Sequence, residues 1–158
     1  PKTENMLSFL KSKNFKDLYA NNIHLTIVGN ADPLLVDKIN SNYNGVFMTG
    51  RVESVSTYYA KAKIAVIPEV LGGGFKLKIA EAALRKTAIF AVKGAITKCN
   101  LNKDIHYIEA VNFIDLIVKI IDCQKREFEI DTMINKAYET AIKDFSQKRI
   151  NLNISKLL

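Results

Sequence analysis

Gly72-Gly73-Gly74-Phe75-Lys76-Leu77-Lys78, with Glu81 close behind, is the stretch whose residue types could do chemistry. Three glycines remove every Cβ where a backbone must approach a ligand closely, and they admit positive φ angles. Set between a strand and a helix, such a turn aims the unpaired amides of Gly74, Phe75, Lys76 and Leu77 at one point above the helix start. That point suits an anion, most often a phosphate, and Lys76 or Lys78 adds a mobile charge. A bare strand–helix connection would use the same glycines. The adjacent lysines and Glu81 favour phosphate.

Gly74, Lys78 and Glu81 share one helical face by their spacing. At a rise of 1.5 Å per residue the Glu81 backbone lies about 10 Å below the phosphate end, and its side chain leans back toward that end. A carboxylate there can accept both hydroxyl protons of a ribose while the phosphates sit at the helix start. The plainer reading is a half-buried glutamate paired with Lys78 or Lys86. Arg51, after Gly50, is either a phosphate contact or a solvated loop charge, and the Val52 backbone can pair with a base edge. His24 and His106 sit in apolar strand-like runs and read as satisfied histidines rather than catalytic ones. No Ser/His/Asp grouping, metal-ligand cluster or lysine-terminated P-loop pattern is present.

The elements that must position these residues follow from the apolar pattern. Runs of strand length recur at Ile23–Val28, Val46–Met48, Ile64–Ile67, Ala88–Val92 and Ile105–Ile108. Helical patterns separate them. Asp32 caps a helix with Pro33 in first position, and Ser54–Ala62 supplies a short helix with Val55, Tyr58 and Tyr59 inward. Phe75–Arg85 is helical, with Leu77, Ala80 and Leu84 as its inner face. Asn112, Asp115, Lys119 and Asp122 mark the wet face of a further helix. A long amphipathic one carries Ile130, Met133, Ile134, Ala137, Tyr138, Ala141, Ile142 and Phe145. Continuous apolar strands alternating with helices predict a doubly wound, Rossmann-like parallel sheet covered on both faces. Ligands bind such sheets outside the carboxyl ends of the strands. Gly29-Asn30, Gly50-Arg51, Pro68–Gly74 and Lys93-Gly94 all fall there, so four loops share one rim.

The 158 residues suffice for one domain with a substantial core, and 48% apolar with 25% charged residues is ordinary globular composition. No apolar stretch reaches the length of a bilayer span, and no secretory signal opens the chain. The start at Pro1 leads us to expect that upstream sequence has been removed. A net charge of +7 suits a polyanion, an anionic membrane surface or a phosphorylated small ligand. The lysines are scattered, with no aromatic-interleaved basic stripe, which argues against nucleic acid. Cys99 and Cys123 read as free thiols of a reducing, cytoplasmic compartment.

The succession His24–Gly29, Val46–Val52, Tyr58-Tyr59-Ala60-Lys61-Ala62 and Gly72–Ala82 resembles the donor-binding half of a family-4 retaining glycosyltransferase of GT-B architecture. The resemblance runs from about residue 23 to the C-terminus. It implies that this half binds a nucleotide-sugar, a UDP or GDP sugar, while an N-terminal half of the parent chain binds the acceptor. It maps the ribose to Glu81, the phosphates to Gly74, Phe75, Lys76 and Leu77, and the base to the Arg51–Val52 loop. Gly29, Gly72 and Gly73 complete the expected donor site. Many relatives carry a second glutamate where this chain has Gly73. Glu69 is the nearest acidic substitute, and Lys78 is the other side chain considered for a catalytic role. The first strand of the half, whose loop usually supplies an arginine and a lysine, is also missing here.

The expectation is therefore the donor half of an enzyme that transfers a hexose to a glycan or lipid acceptor in cell-envelope polysaccharide synthesis, with little activity on its own. Amides and lysines would stabilise the departing diphosphate, so no metal and no cofactor are expected. The competing expectations are a non-catalytic nucleotide-binding module and a basic domain docked on the inner face of a membrane.

Overall fold

The apolar runs form strands because they are buried against helices on one face or both. A computed structural model of the chain describes residues 2–69, 77–125 and 127–145. In order these are α1 (Lys2–Leu10), α2 (Lys16–Ala20), β1 (Leu25–Ile27), α3 (Pro33–Asn42), β2 (Val46–Met48), α4 (Ser56–Lys61), β3 (Ile64–Ile67), α5 (Leu77–Leu84), β4 (Ala88–Val92), β5 (Ile108–Ala110), α6 (Phe113–Lys125) and α7 (Glu127–Phe145). Every ladder is parallel: Leu25 lies opposite Val46, Ile64 opposite Ala88, and Phe90 opposite Ile108. Parallel pairing needs helical crossovers, and the chain supplies them. The expected α/β class is the observed one.

Two hydrophobic cores sandwich the strands. Phe9, Leu10, Phe15 and Leu18 from α1, α2 and their connection meet Ile39 of α3, Met48, Phe90, and Leu116, Ile117 and Ile120 of α6. Edge-on aromatic contacts tie this core together, with ring centroids 5.4 Å apart for Phe9 and Phe15 and 5.6 Å for Phe9 and Phe113. On the opposite face Ile67, Ile89 and Ala91 meet Ile79, Ala82 and Ala83 of α5 and Ala137 and Ala141 of α7. β4 is therefore buried at all five positions. Cutting Phe90 back to alanine would cost about 3–5 kcal/mol.

The hydrogen-bonded ladder comes in two pieces, β1-β2 and β3-β4-β5. The β1-β2 piece is covered on one face, while Thr26 and Phe47 on its other face are exposed.

Two expectations need correction. The fifth strand is Ile108–Ala110, three residues later than the apolar run at Ile105–Ile108. The preceding residues fold into a turn instead. Asp104 has φ +61°, its amide donates to the Tyr107 carbonyl (2.8 Å), and the His106 amide donates to the Asn102 carbonyl (2.9 Å). His106 is thus a turn residue. The inner face of α5 is also different: Ile79, Ala80, Ala82 and Ala83 are buried, while Leu77 is 66% and Leu84 38% exposed. Facing alanines let α5 and α7 approach closely, and a leucine would hold them apart.

Candidate functional site

Within each ladder the strands run the same way, so their carboxyl ends lie together, where ligands of such sheets bind. The chain leaves β1 through Gly29-Asn30, β2 through Gly50-Arg51-Val52, β3 through Pro68-Glu69 and β4 through Lys93-Gly94. Gly50 and Gly94 take φ of +70° and +80°, the left-handed conformation that turns each loop sharply at the strand end. The helix after the first loop starts as its sequence predicts: Asp32 Oδ1 accepts from the Leu34 amide at 2.8 Å, with Pro33 in the first turn. Gly72, Gly73, Gly74, Phe75 and Lys76 lie outside the described residues.

α5 carries the rest of the site. Glu81 is half-buried, and neither cation considered for it is its partner. Lys78 turns the other way and forms an ion pair with Glu69, while the Lys86 ammonium sits 4.6 Å from the centre of the Tyr138 ring. Among the described residues Glu81 has no hydrogen bond or ion pair from its carboxylate, so both oxygens remain available as acceptors. Glu69 is 7% exposed, and the Lys78 cation compensates a carboxylate that burial would otherwise penalise. Arg51 is exposed and Val52 half-buried on their loop.

The sequence did not single out Tyr59 and Arg85 for the site, although Tyr59 was expected to face inward. The Tyr59 hydroxyl donates to the Lys78 carbonyl at 3.3 Å, and the Arg85 guanidinium lies 5.7 Å from the centre of the Tyr59 ring. Burial pushes the Tyr59 phenol up from its ordinary value, and the negative charge of Glu81 pushes it further. It stays a neutral donor that ties α4 to the first turn of α5. The tyrosine pair in a short helix was the only sequence signal for this tie.

Among the described residues no group of three or more His, Cys, Asp or Glu could hold a metal, and no helix is long and apolar enough to cross a membrane. Neither Cys99 nor Cys123 is in a disulfide among the described residues.

Parallel strands flanked by helices match the Rossmann-like domains of the GT-B glycosyltransferase architecture. Residues 4–120 match the family model described as glycosyl transferases group 1, and the chain belongs to that family. Among solved structures, Anabaena HepE in complex with UDP-glucose superposes with a TM-score of 0.72 at 19% identity, covering 85% of this chain and 40% of HepE. The sucrose-phosphate synthase of Thermosynechococcus elongatus gives 0.70 at 20% identity, covering 94% of this chain and 42% of that one. A glycosyltransferase from Rickettsia africae gives 0.70 at 20%, covering 84% and 39%. At such identities the likeness is one of fold. The chain spans about 40% of the length of these proteins. No curated protein sequence matches it.

Proposed function

We propose that this chain is the donor-binding, C-terminal half of a retaining glycosyltransferase that takes a nucleoside-diphosphate sugar. The observation that carries the proposal is the carboxylate of Glu81, which has no hydrogen bond or ion pair among the described residues, on a helix that follows β3 in a group 1 glycosyltransferase domain. A half-buried carboxylate without a cation is an energetic cost unless a ligand supplies donors, and the two hydroxyls of a ribose do so. HepE and the pneumococcal GtfA have been crystallised with UDP, which favours a uridine diphosphate here.

In this reading the phosphates sit at the amides of Gly74, Phe75, Lys76 and Leu77, and the base meets the Arg51–Val52 loop. Gly29, Gly72 and Gly73 leave room for close approach. Charge that grows on the departing diphosphate is met by amides and lysines, so the reaction needs no metal. A hexose passes to a glycan or lipid acceptor held by another domain of the parent chain, at the cytoplasmic face of a membrane in cell-envelope polysaccharide synthesis. Lys78 and Glu69 form the floor of the site, and their pairing keeps Lys78 away from Glu81.

Calorimetric titration with UDP, GDP, ADP and their glucose conjugates tests the proposal. One base should be preferred, with heat on binding that is lost in the Glu81→Ala variant. Equal, weak binding of all three that ignores Glu81 would sink it. Robust sugar transfer by these 158 residues alone would overturn the half-enzyme reading.

A further inference from the structure

A cavity of about 350 Å³ opens at the amino end of β2, the opposite end of that strand from Gly50-Arg51-Val52. It lies where the turn between α1 and α2 meets the end of α3 and the residues that lead into β2. Leu10 and Phe15, both nearly sealed from water, are its most buried lining and form its floor. α3 starts after the Gly29-Asn30 loop and ends at the cavity, so its ten residues set the two about 15 Å apart.

The aromatic walls are fixed before any ligand arrives. Gly45 has φ +74°, and a Cβ there would lie 2.5 Å from Cδ2 of Tyr19. The bare glycine thus lets the Tyr19 ring seat close against the entry to β2. His24 meets that ring edge-on, with centroids 5.7 Å apart. Phe15 holds Tyr43 in the same way at 6.2 Å. Tyr19 is nevertheless 49% exposed.

The polar lining carries one sign of charge. Lys13 and Lys16 are exposed, neither is in an ion pair among the described residues, and none of the described residues lining the cavity is acidic. Ser12 Oγ donates its proton to the Phe9 carbonyl at 2.7 Å, and Asn42 Nδ2 donates to the Lys38 carbonyl at 2.9 Å. Ser12 Oγ and Asn42 Oδ1 therefore remain as acceptors. The side-chain amide of Asn44 has no hydrogen bond among the described residues.

We propose that this cavity docks an acidic peptide segment of a protein partner through one aromatic side chain. The anchor ring fills the space between Tyr19 and Tyr43, above Phe15. Carboxylates on either side of it in the partner meet Lys13 and Lys16. The partner's backbone offers N–H donors to Ser12 and Asn42 and a carbonyl to Asn44. The volume is at the small end of the range for ligand sites, about 300–1,000 Å³, and suits one large side chain with its adjoining backbone. A small inorganic anion would satisfy the lysines and leave the aromatic walls and both acceptors unused. A buried aromatic anchor supplies most of the affinity of such an interface, while charges at its margin speed encounter. The site does not rest on the donor reading, and a partner docked here leaves the carboxyl ends of the strands open.

NMR titration of the whole chain with a capped peptide, phenylalanine between two pairs of aspartates, tests the proposal. Saturable shifts should centre on the amides of Ser12, Tyr19, Asn42 and Asn44. Exchanging the phenylalanine for alanine, or the aspartates for asparagines, should each weaken binding at least about tenfold. The paired variant Lys13→Gln and Lys16→Gln should do the same with its thermal midpoint unmoved, because both lysines are exposed. Saturating UDP should leave the affinity for the peptide unchanged. Absence of binding, equal binding of the alanine peptide, or shifts scattered over lysines elsewhere overturns the proposal. So does competition by UDP, which would move the peptide to the strand ends. Inorganic phosphate or phosphatidylserine vesicles that give the same shifts at the peptide's concentration would also overturn it, since the cavity would then select charge alone.

Discussion

Lys78 reaches from α5 to Glu69 at the end of β3 and leaves Glu81, on its own helix, without an ion pair among the described residues. The two glutamates differ in burial. Glu69 is nearly sealed from water and must hold a counter-charge, whereas Glu81 is only half-buried. One lysine therefore divides two neighbouring carboxylates into a structural group and an available one.

Removing that lysine should be costly. Lys78→Met removes the cation that pairs with the buried Glu69 and should lower unfolding free energy by about 2–3 kcal/mol, toward the low end for buried pairs because the lysine side chain is 37% exposed. Adding Glu69→Gln should restore most of the loss. Urea titrations of the single and double variants measure both, and a neutral Lys78→Met would contradict the role given to the pair.

Glu81→Gln acts on binding rather than folding. Its carboxylate bonds nothing within the described residues, so the thermal midpoint should move by less than about 2 °C. Nucleotide affinity should fall roughly 10- to 100-fold, the loss of hydrogen bonds to a charged acceptor. A large drop in midpoint with unchanged affinity would reassign Glu81 to the scaffold.

His106 sets a pH limit. Burial lowers its pKa below the ordinary 6.5, and Lys136 pushes it the same way. Nδ1 accepts the Asn102 amide at 2.8 Å, and Nε2 lies 3.1 Å from Thr140 Oγ1 on α7. The unfolded chain thus binds the proton more readily than the folded one. Stability should be fully present above about pH 6.5 and decline as pH falls from there toward the folded pKa. His106→Gln should flatten the denaturant midpoint between pH 7.5 and 5.5; an equal slope in both proteins would count against this account.

The parts legible in sequence were those set by periodicity. The runs at Ile64–Ile67 and Ala88–Val92 are strands over those residues because a strand covered on both faces must be apolar throughout, and Val46–Met48 is a strand although its outer face leaves Phe47 exposed. Asp32-Pro33 announced a helix start through local hydrogen bonding, which needs no tertiary context. The turn at 103–106 was hidden because Ile105 and Ile108 look alike as letters, and only the left-handed Asp104 separates them. The inward face of α5 was hidden for another reason. Small residues carry little hydrophobic signal, and their burial depends on what α7 presents. The preference of Lys78 for Glu69 over Glu81 was equally out of reach, since both spacings are compatible with an ion pair.

Asn40 gives a prediction about solubility. Asn40→Ala removes both hydrogen bonds to Met48 and should cost about 1–3 kcal/mol. It also bares the margin of β2 beside the exposed Phe47. Sedimentation should show association that grows with concentration, and Asn40→Asp, whose charge discourages pairing, should stay monomeric. A monomeric Asn40→Ala would show that the side chain has no guarding role.

The seam of Ala82 and Ala83 against Ala137 and Ala141 couples α5 to α7 almost backbone to backbone. Long side chains would absorb a small displacement by changing rotamer, but methyl groups have no such play. The two helices therefore move as one lever. Any pull on α7, from a ligand, a neighbouring domain or tension in the polypeptide, arrives undamped at the helix bearing Glu81.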